Sequence, residues 1–195
     1  MTPEEIGARL VDILGDGVVA SVSAGDRYAR ATVDVPAERW REAITAVRDE
    51  LGCDFFDWLS AVDEADAGFD IVAHIWSTAT RHGVLMRTRL PRRSPAVDSI
   101  VDLYPGASWH ERETHEMFGI DIVGHPFLAP LLLSNEFEGH PLRKDFVLAS
   151  RVVKPWPGAK EPGGAAGTGR ARQPVRPLGV PAPDEWGPTV APAVE

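Results

Sequence analysis

Residues 109–146 carry the sequence WHERETHEMFGIDIVGHPFLAPLLLSNEFEGHPLRKDF, in which charges, aromatic residues and prolines lie close together. No single helix or strand period runs through the whole stretch. A solvated surface does not need so many large apolar residues, and a plain hydrophobic core does not tolerate so many charges. We therefore expect another surface to cover this segment.

Composition narrows the class of protein. The chain has 195 residues, enough for one domain with its own core and an appendage. The net charge of −9 argues against a nucleic-acid partner, because phosphate backbones are bound by concentrated Lys and Arg. The single cysteine, Cys53, cannot form an internal disulfide, and alone it cannot hold an iron–sulfur cluster or a cysteine zinc site.

The N-terminal residues lack the apolar core of a signal peptide, since Glu4, Glu5, Arg9 and Asp12 interrupt them. No stretch approaches the ~20 apolar residues that a membrane-spanning helix needs. We expect membrane contact only through a partner.

Local patterns predict the order helix, two strands, helix, three strands, then helices. Thr2, Pro3 and Glu5 are typical of a helix start, and Gly15 ends that helix. Gly25 and Asp26 favour a tight hairpin between the next two strands. The predicted strands are 18–22, 28–35, 54–62, 69–76 and 83–90, and the later predicted helices are 36–51, 94–103 and 108–119, the last with a capping box at Ser108 and Glu111.

The third predicted strand, 54–62, is apolar on both faces, with Phe55 and Leu59 on one side and Trp58 and Val62 on the other. This pattern predicts a central strand or a strand whose outer face is docked. The whole pattern predicts an α+β, two-layer domain, with helices packed on a mostly antiparallel or mixed five-stranded sheet, followed by an extended C-terminal segment.

The composition changes after residue 148. Nine prolines and seven glycines occur among the last 46 residues, which cannot bury enough apolar area to offset their ordering entropy. We therefore predict a domain over residues 1–148, which includes the docking segment 109–146, and a Pro/Gly-rich extended or disordered tail over 149–195.

A metal-dependent hydrolase is the alternative from a different class. The sequence HERETH at 110–115 is similar to a zinc-protease helix, but its histidines lie five residues apart and face different sides. Such an enzyme would have to combine His110, Glu111 and His115 with His125 and His140 of the two Gly-His-Pro triplets. The simpler interpretation is that the charges of the segment pair with each other and with a partner surface.

Four motifs occur in order: Trp109-x-Glu111-Arg112-Glu113, Met117-Phe118-Gly119-Ile120, Gly124-His125-Pro126, and Glu138 to Phe146. Together they closely resemble the C subunit of bacterial NADH-quinone oxidoreductase, the 30 kDa subunit family of respiratory complex I. The resemblance covers most of residues 1–148.

The resemblance implies a non-catalytic peripheral-arm subunit that docks chiefly on the D subunit, with the B and I subunits nearby, close to the quinone site. It implies no cofactor in this chain, since FMN, the iron–sulfur clusters and quinone belong to partner subunits. It places the chain on the cytoplasmic side of the cell membrane, as a peripheral part of the complex. The docking residues that it implies are Trp109, Glu111, Arg112, Glu113, Glu116, Phe118, Gly119, His125, Pro126, Gly139, His140, Pro141, Leu142, Arg143, Lys144 and Asp145.

Three positions depart from the family pattern. Glu116 stands where aspartate is usual, Ile122 where an aromatic residue is usual, and Ala129-Pro130 where arginine is common. The equivalent subunit of a related hydrogenase-type or deazaflavin-dependent complex stays open as an alternative.

Overall fold

The computed structural model describes residues 1–25 and 28–147. The predicted tail, residues 149–195, and Asp26 of the predicted hairpin lie outside the described residues. Three α-helices and seven strands occur in the described part: α1 (Pro3–Leu14), β1 (Val19–Val22), β2 (Ala31–Asp34), α2 (Trp40–Glu50), β3 (Phe55–Asp63), β4 (Phe69–Ser77), β5 (His82–Leu90), β6 (Ala96–Asp98), α3 (Ala107–Phe118) and β7 (Asp121–Val123).

The first five strands form one mixed sheet in the order β1-β2-β5-β4-β3. All neighbours are antiparallel except β2 and β5, which run parallel. β6 and β7 form a separate parallel pair. The α+β class with a mixed five-stranded sheet, predicted from the sequence, is therefore confirmed.

The two faces of the sheet differ in burial. Along one register row, Val33, Met86, Ala73 and Leu59 are all buried and join the core with residues of the helices. The neighbouring row on the opposite face ends at Trp58, which is 36% exposed. Alternation of side chains along each strand thus gives a single covered face, as a two-layer domain requires.

The start of α1 matches its sequence pattern. The Thr2 hydroxyl accepts a hydrogen bond from Glu5 N, and the Glu5 carboxylate accepts one from Thr2 N, so both halves of the capping box are formed. Ile6, Leu10 and Leu14 point into the core. The local signals were sufficient here because both partners lie within one turn.

Two predictions about local structure are wrong. Residues 94–103 do not form a helix: Ala96–Asp98 is strand β6, which pairs with β7, a strand that sequence periodicity did not indicate. Three-residue strands are too short to show a period, so tertiary pairing decided the outcome. β3 is an edge strand, so the first alternative for this strand, a central position, is wrong. The second alternative, a docked outer face, stays a prediction, and Val62 on that face is 44% exposed.

Candidate docking site on helix α3

Helix α3 starts at Ala107, with Gly106 at the N-cap and no capping side chain. The predicted capping box of Ser108 and Glu111 is therefore wrong. The reason is that Glu111 points into the protein, where it finds partners from another element.

Glu111 links α3 to the loop after β6. Its side chain is 1% exposed and accepts hydrogen bonds from Ser99 Oγ at 2.6 Å and from Ile100 N at 2.7 Å. His125 is half-buried as a residue because its backbone is exposed, but its side chain is covered and places Nε2 3.9 Å from Glu111 Oε2. Burial raises the pKa of Glu111, and burial lowers the pKa of His125, so both groups are biased toward their neutral forms.

Arg112 and Glu116 hold residues 129–133 against α3. Arg112 donates from Nε to Ala129 O and from Nη2 to Pro130 O, both at 2.8 Å. The Glu116 carboxylate accepts from Leu132 N and Leu133 N at 2.8 Å and from Leu131 N at 3.3 Å. Burial raises the pKa of Glu116, but these backbone donors and the nearby Arg112 outweigh it, and the net pKa is lowered. Ala129-Pro130, which depart from the family pattern, contribute backbone carbonyls here.

The C-terminal end of α3 is held by residues 140–143. His140 Nδ1 lies 2.8 Å from Glu116 O, Leu142 N donates to Met117 O at 3.2 Å, and Arg143 Nε donates to Phe118 O at 2.5 Å. These contacts satisfy carbonyls that have no partner inside the helix, and the Arg143 cation lies at the negative end of the helix dipole. Gly119 ends the helix in the left-handed region, and a Cβ there would overlap the His140 ring.

A second anchor involves two residues that sequence analysis missed. Asp63, only 4% exposed, accepts from Lys144 N at 2.8 Å, and Arg92 bridges the carboxylates of Asp63 and Asp145 at 2.5 and 2.7 Å. Arg92 and Arg143 lie 4.9 and 5.3 Å from the ring centre of the buried Phe69. No local signal could have found this anchor, because Asp63 and Lys144 are 81 positions apart.

The mutual charge pairing expected from the sequence is largely wrong, whereas pairing with a partner surface stays a prediction. Of the charges in the segment, only Asp145 forms a close ion pair with an arginine, Arg92, among the described residues. Arg112, Glu116 and Arg143 instead bind backbone groups. A charged side chain that orders an irregular backbone bonds amides and carbonyls that have no partner in a helix or strand, a need that the sequence does not display.

The predicted docking residues divide by burial. Glu111 and Phe118 are buried inside this chain and can act on a partner only indirectly. Trp109, at 68%, and Leu142, at 52%, are highly exposed. The other exposed members are Pro126, Gly139, Lys144 and Asp145, and the half-buried ones are Arg112, Glu113, Glu116, Gly119, His125, His140, Pro141 and Arg143.

The histidines do not converge. His110 lies against the backbone of Leu59, His115 contacts Ile120 O, His125 contacts Ser108 and His140 contacts Glu116 O. Within the described ranges, no three His, Cys, Asp or Glu side chains form a group that could hold a metal ion. The geometry therefore gives no support to the metal-dependent hydrolase alternative. None of the helices in these ranges is both long and apolar enough to span a membrane.

The lowered pKa of Glu116 predicts a pH dependence. Because the folded pKa is below the unfolded value, Glu116 contributes stability that is present above the unfolded pKa of about 4.5 and is lost as the pH falls through the folded pKa. We expect Glu116→Gln to flatten the fall in unfolding free energy between about pH 5 and pH 3. Urea titrations of wild type and Glu116→Gln at several pH values measure this pH dependence of the unfolding free energy.

Glu113→Gln is the control for this measurement, because Glu113 lies on the same helix and its carboxylate makes no hydrogen bond within the described part of the chain. Equal pH slopes for wild type and Glu116→Gln would contradict the role assigned to this carboxylate.

Comparison of the sequence with models of known protein families shows the family of this chain. The family model described as "Respiratory-chain NADH dehydrogenase, 30 Kd subunit" matches residues 33–152. This chain belongs to that family.

Individual proteins that are similar to this chain include C subunits of NADH-quinone oxidoreductases from several bacteria. The NADH-quinone oxidoreductase C subunit of Roseiflexus castenholzii is 39% identical over 151 residues, covering 75% of this chain and 84% of the relative. The same subunit of Thiobacillus denitrificans is 36% identical over 163 residues, covering 78% and 80%. The NADH-quinone oxidoreductase C/D subunit of Phocaeicola vulgatus is 34% identical over 115 residues, which are 58% of this chain and 22% of that protein.

Solved structures share the fold. A chain of the membrane-bound sulfane sulfur reductase, an archaeal respiratory membrane complex, superposes with a TM-score of 0.66 at 22% identity, covering 80% of this chain and 96% of that one. A trypsin-resistant fragment of Nqo5 gives a TM-score of 0.53 at 21% identity, covering 65% of this chain and all of the fragment.

Proposed function

We propose that this chain is a non-catalytic peripheral-arm subunit of a proton-translocating NADH:quinone oxidoreductase, docked on the D subunit near the quinone site. The B and I subunits lie nearby, and partner chains hold FMN, the iron–sulfur clusters and quinone. The complex keeps this subunit at the cytoplasmic face of the cell membrane, where it supports electron transfer from NADH to quinone by holding its neighbours in place.

One observation carries this proposal: the polar side chains of α3 are used to order a neighbouring segment. Arg112 and Glu116 bind backbone groups of the segment 124–147, which has no helix or strand. Glu111 binds Ile100 N and lies 3.9 Å from His125 of that segment. Long ordered loops without secondary structure usually serve binding or catalysis. Since the ionisable groups here are engaged in structural bonds, binding is the better supported role.

The choice of the D subunit is supported by the relative from Phocaeicola vulgatus, whose name combines the C and D subunits in one polypeptide. Fusion keeps two domains at high effective concentration, which favours pairs that contact each other.

The equivalent subunit of a related complex is the second candidate. It is supported by the fold shared with a chain of the sulfane sulfur reductase complex. Identities of 36–39% with the C subunits of NADH-quinone oxidoreductases favour the first candidate.

Co-purification with the D subunit tests the proposal. We expect Arg143→Ala to weaken the association by about 2 kcal/mol, a size of effect that one residue can have on an interface. The physical reason is the loss of the bond to Phe118 O and of the contact with Phe69, which together order residues 140–146. The readouts are the amount of the D subunit recovered and the quinone reduction by the assembled complex.

Arg48→Ala is the matched control, since Arg48 lies on α2 and pairs with its neighbour Asp49. Failure of the wild-type chain to associate with the D subunit would contradict the proposed function. Normal assembly and quinone reduction by Arg143→Ala would show that this arginine is not needed for docking.

A further inference from the structure

Large apolar side chains recur at every fourth or fifth position along the segment that α3 holds. Each of them is exposed to solvent, by 42% to 74%. We name this set the apolar row, and it consists of Val123, Phe127, Leu132, Phe137, Leu142 and Val147. Only Leu142 belongs to the docking residues expected from sequence.

Many backbone polar groups of the same segment are bonded to the domain. The amides of Leu131, Leu132 and Leu133 donate to Glu116, and the carbonyls of Ala129 and Pro130 accept from Arg112. Further along, Leu142 N and Lys144 N donate to Met117 O and to Asp63. The segment is therefore bonded to the domain mainly through its backbone, while the six side chains of the apolar row are exposed to solvent. Two of them also have a neighbour in this chain: Phe127 lies near Arg112 and Phe137 stacks on Phe146.

An ordinary solvated loop exposes mostly polar side chains, whereas this segment exposes six large apolar ones. Exposed apolar side chains grouped on one element mark sites of protein association, whereas single ones need no explanation. The backbone bonds also fix these side chains in advance, which lowers the entropy cost of binding. A loop that is ordered by its own domain and is apolar outside is suited to insertion into a partner.

We propose that the apolar row is the main contact with the D subunit and that its side chains enter apolar pockets of that partner. The charges of α3 position the row and do not cross the interface. This inference rests on the proposed function, and it replaces a docking surface of charges by one of apolar anchors.

The choice of the D subunit as the occupant is supported by two observations. The row lies within residues 33–152, which match the family model, and the name of the relative from Phocaeicola vulgatus joins the C subunit with the D subunit. The chemistry follows from the row: the matching surface of the partner is apolar and has few charges at its centre, as interface cores usually do.

Leu132→Asn combined with Leu142→Asn tests the proposal. Asparagine is polar but neutral, so it avoids repulsion with the Glu116 carboxylate that binds Leu132 N. We expect the affinity of the full-length chain for the purified D subunit to fall at least about tenfold, because two central anchors are lost. The melting temperature should stay near that of wild type, since both side chains are more than half exposed.

Val19→Asn is the matched control. Val19 on β1 is 61% exposed, as Leu132 is, but it lies outside the row. We expect less than about a twofold change in affinity for this variant, in line with the small effect of most residues outside hot spots.

Salt provides an independent readout. Raising the ionic strength from about 0.1 M to about 0.5 M shortens the Debye length and weakens contacts between charges, but it does not weaken apolar burial. We expect less than about a threefold loss of affinity over this range. A collapse of binding in salt would show that charges cross the interface and would overturn the proposal.

The other outcomes separate this inference from the proposed function. Wild-type binding that the double substitution leaves intact overturns the apolar row alone. A wild-type chain that does not bind the D subunit at all overturns the proposed function. If the double substitution abolishes self-association of the chain but not its binding to the D subunit, the row is a homodimer contact and the proposal is wrong.

Discussion

Replacement of Glu111 by alanine is expected to destabilise the domain by about 3 kcal/mol, because Ser99 Oγ and Ile100 N lose their acceptor inside the protein. The side chain is 1% exposed, so water cannot take its place without rearrangement. The substitution would weaken the contact between α3 and the loop after β6, because these two hydrogen bonds join them. Urea denaturation at neutral pH, followed by circular dichroism, gives the difference in unfolding free energy.

Two further variants make this prediction specific. Glu113→Ala removes a carboxylate from the same helix that has no hydrogen bond in the described residues, and we expect a change within about 0.5 kcal/mol. Glu111→Gln keeps an acceptor for Ile100 N and should fold if the alanine variant does not.

The pKa of Glu111 gives a second check. Because burial raises it, wild type loses the stability linked to protonation as the pH rises through that pKa. Glu111→Gln cannot titrate, so its stability relative to wild type should improve with rising pH. Equal effects of Glu111→Ala and Glu113→Ala would contradict the structural role of Glu111.

Replacement of Gly68 by alanine is expected to cost about 3 kcal/mol or more. Gly68 ends the turn between β3 and β4 with φ +104° and ψ −141°, a region that is open essentially only to glycine. A Cβ at this position would overlap the carbonyl oxygen of Leu90, a backbone atom that cannot swing aside as a side chain does. Both the turn and the end of β5 would have to move. Thermal denaturation of the two proteins measures the effect.

Gly52→Ala separates backbone strain from overlap. Gly52 has φ +62°, and a Cβ there would meet no atom within 4 Å. We expect this variant to lose only about 1 kcal/mol, the ordinary cost of left-handed backbone. If the two alanine variants melt at the same temperature, overlap with Leu90 does not contribute and the prediction is wrong.

The fold was largely predictable because its signals are local. The capping box of α1 and the apolar spacing of α2 each lie within a few turns, and β4 and β5 follow each other directly along the chain. The predictions of strands failed where a strand is fixed by pairing with a segment far along the chain. β6 depends on β7, some 25 positions later, and the edge position of β3 depends on which strand crosses to the centre.

Composition indicates residues 109–146 as the candidate site, but it does not show which of their side chains face the domain and which face solvent. Glu116 and the amides that it binds are at least 15 positions apart, and Asp63 is 81 positions from Lys144. Hydrogen bonds from a side chain to a backbone group far along the chain have no counterpart residue type, so the sequence does not indicate them, unlike the capping box within one turn of α1. The regular spacing from Val123 to Val147 was present in the sequence, and it is the signal that could have found the exposed row.

The parallel pairing of β2 with β5 bears on the order in which this chain folds. Each residue of β2 pairs with a partner 53 positions later, so β2 finds its neighbour only after β5 has been synthesised. Closing such a distant pair costs loop entropy before any contact is gained, whereas β3, β4 and β5 can form successive hairpins quickly. We therefore expect the β3–β5 meander to nucleate folding and the N-terminal hairpin to join the sheet last. The N-terminal strands would then stay unpaired with the rest of the sheet, and open to aggregation, for the longest time.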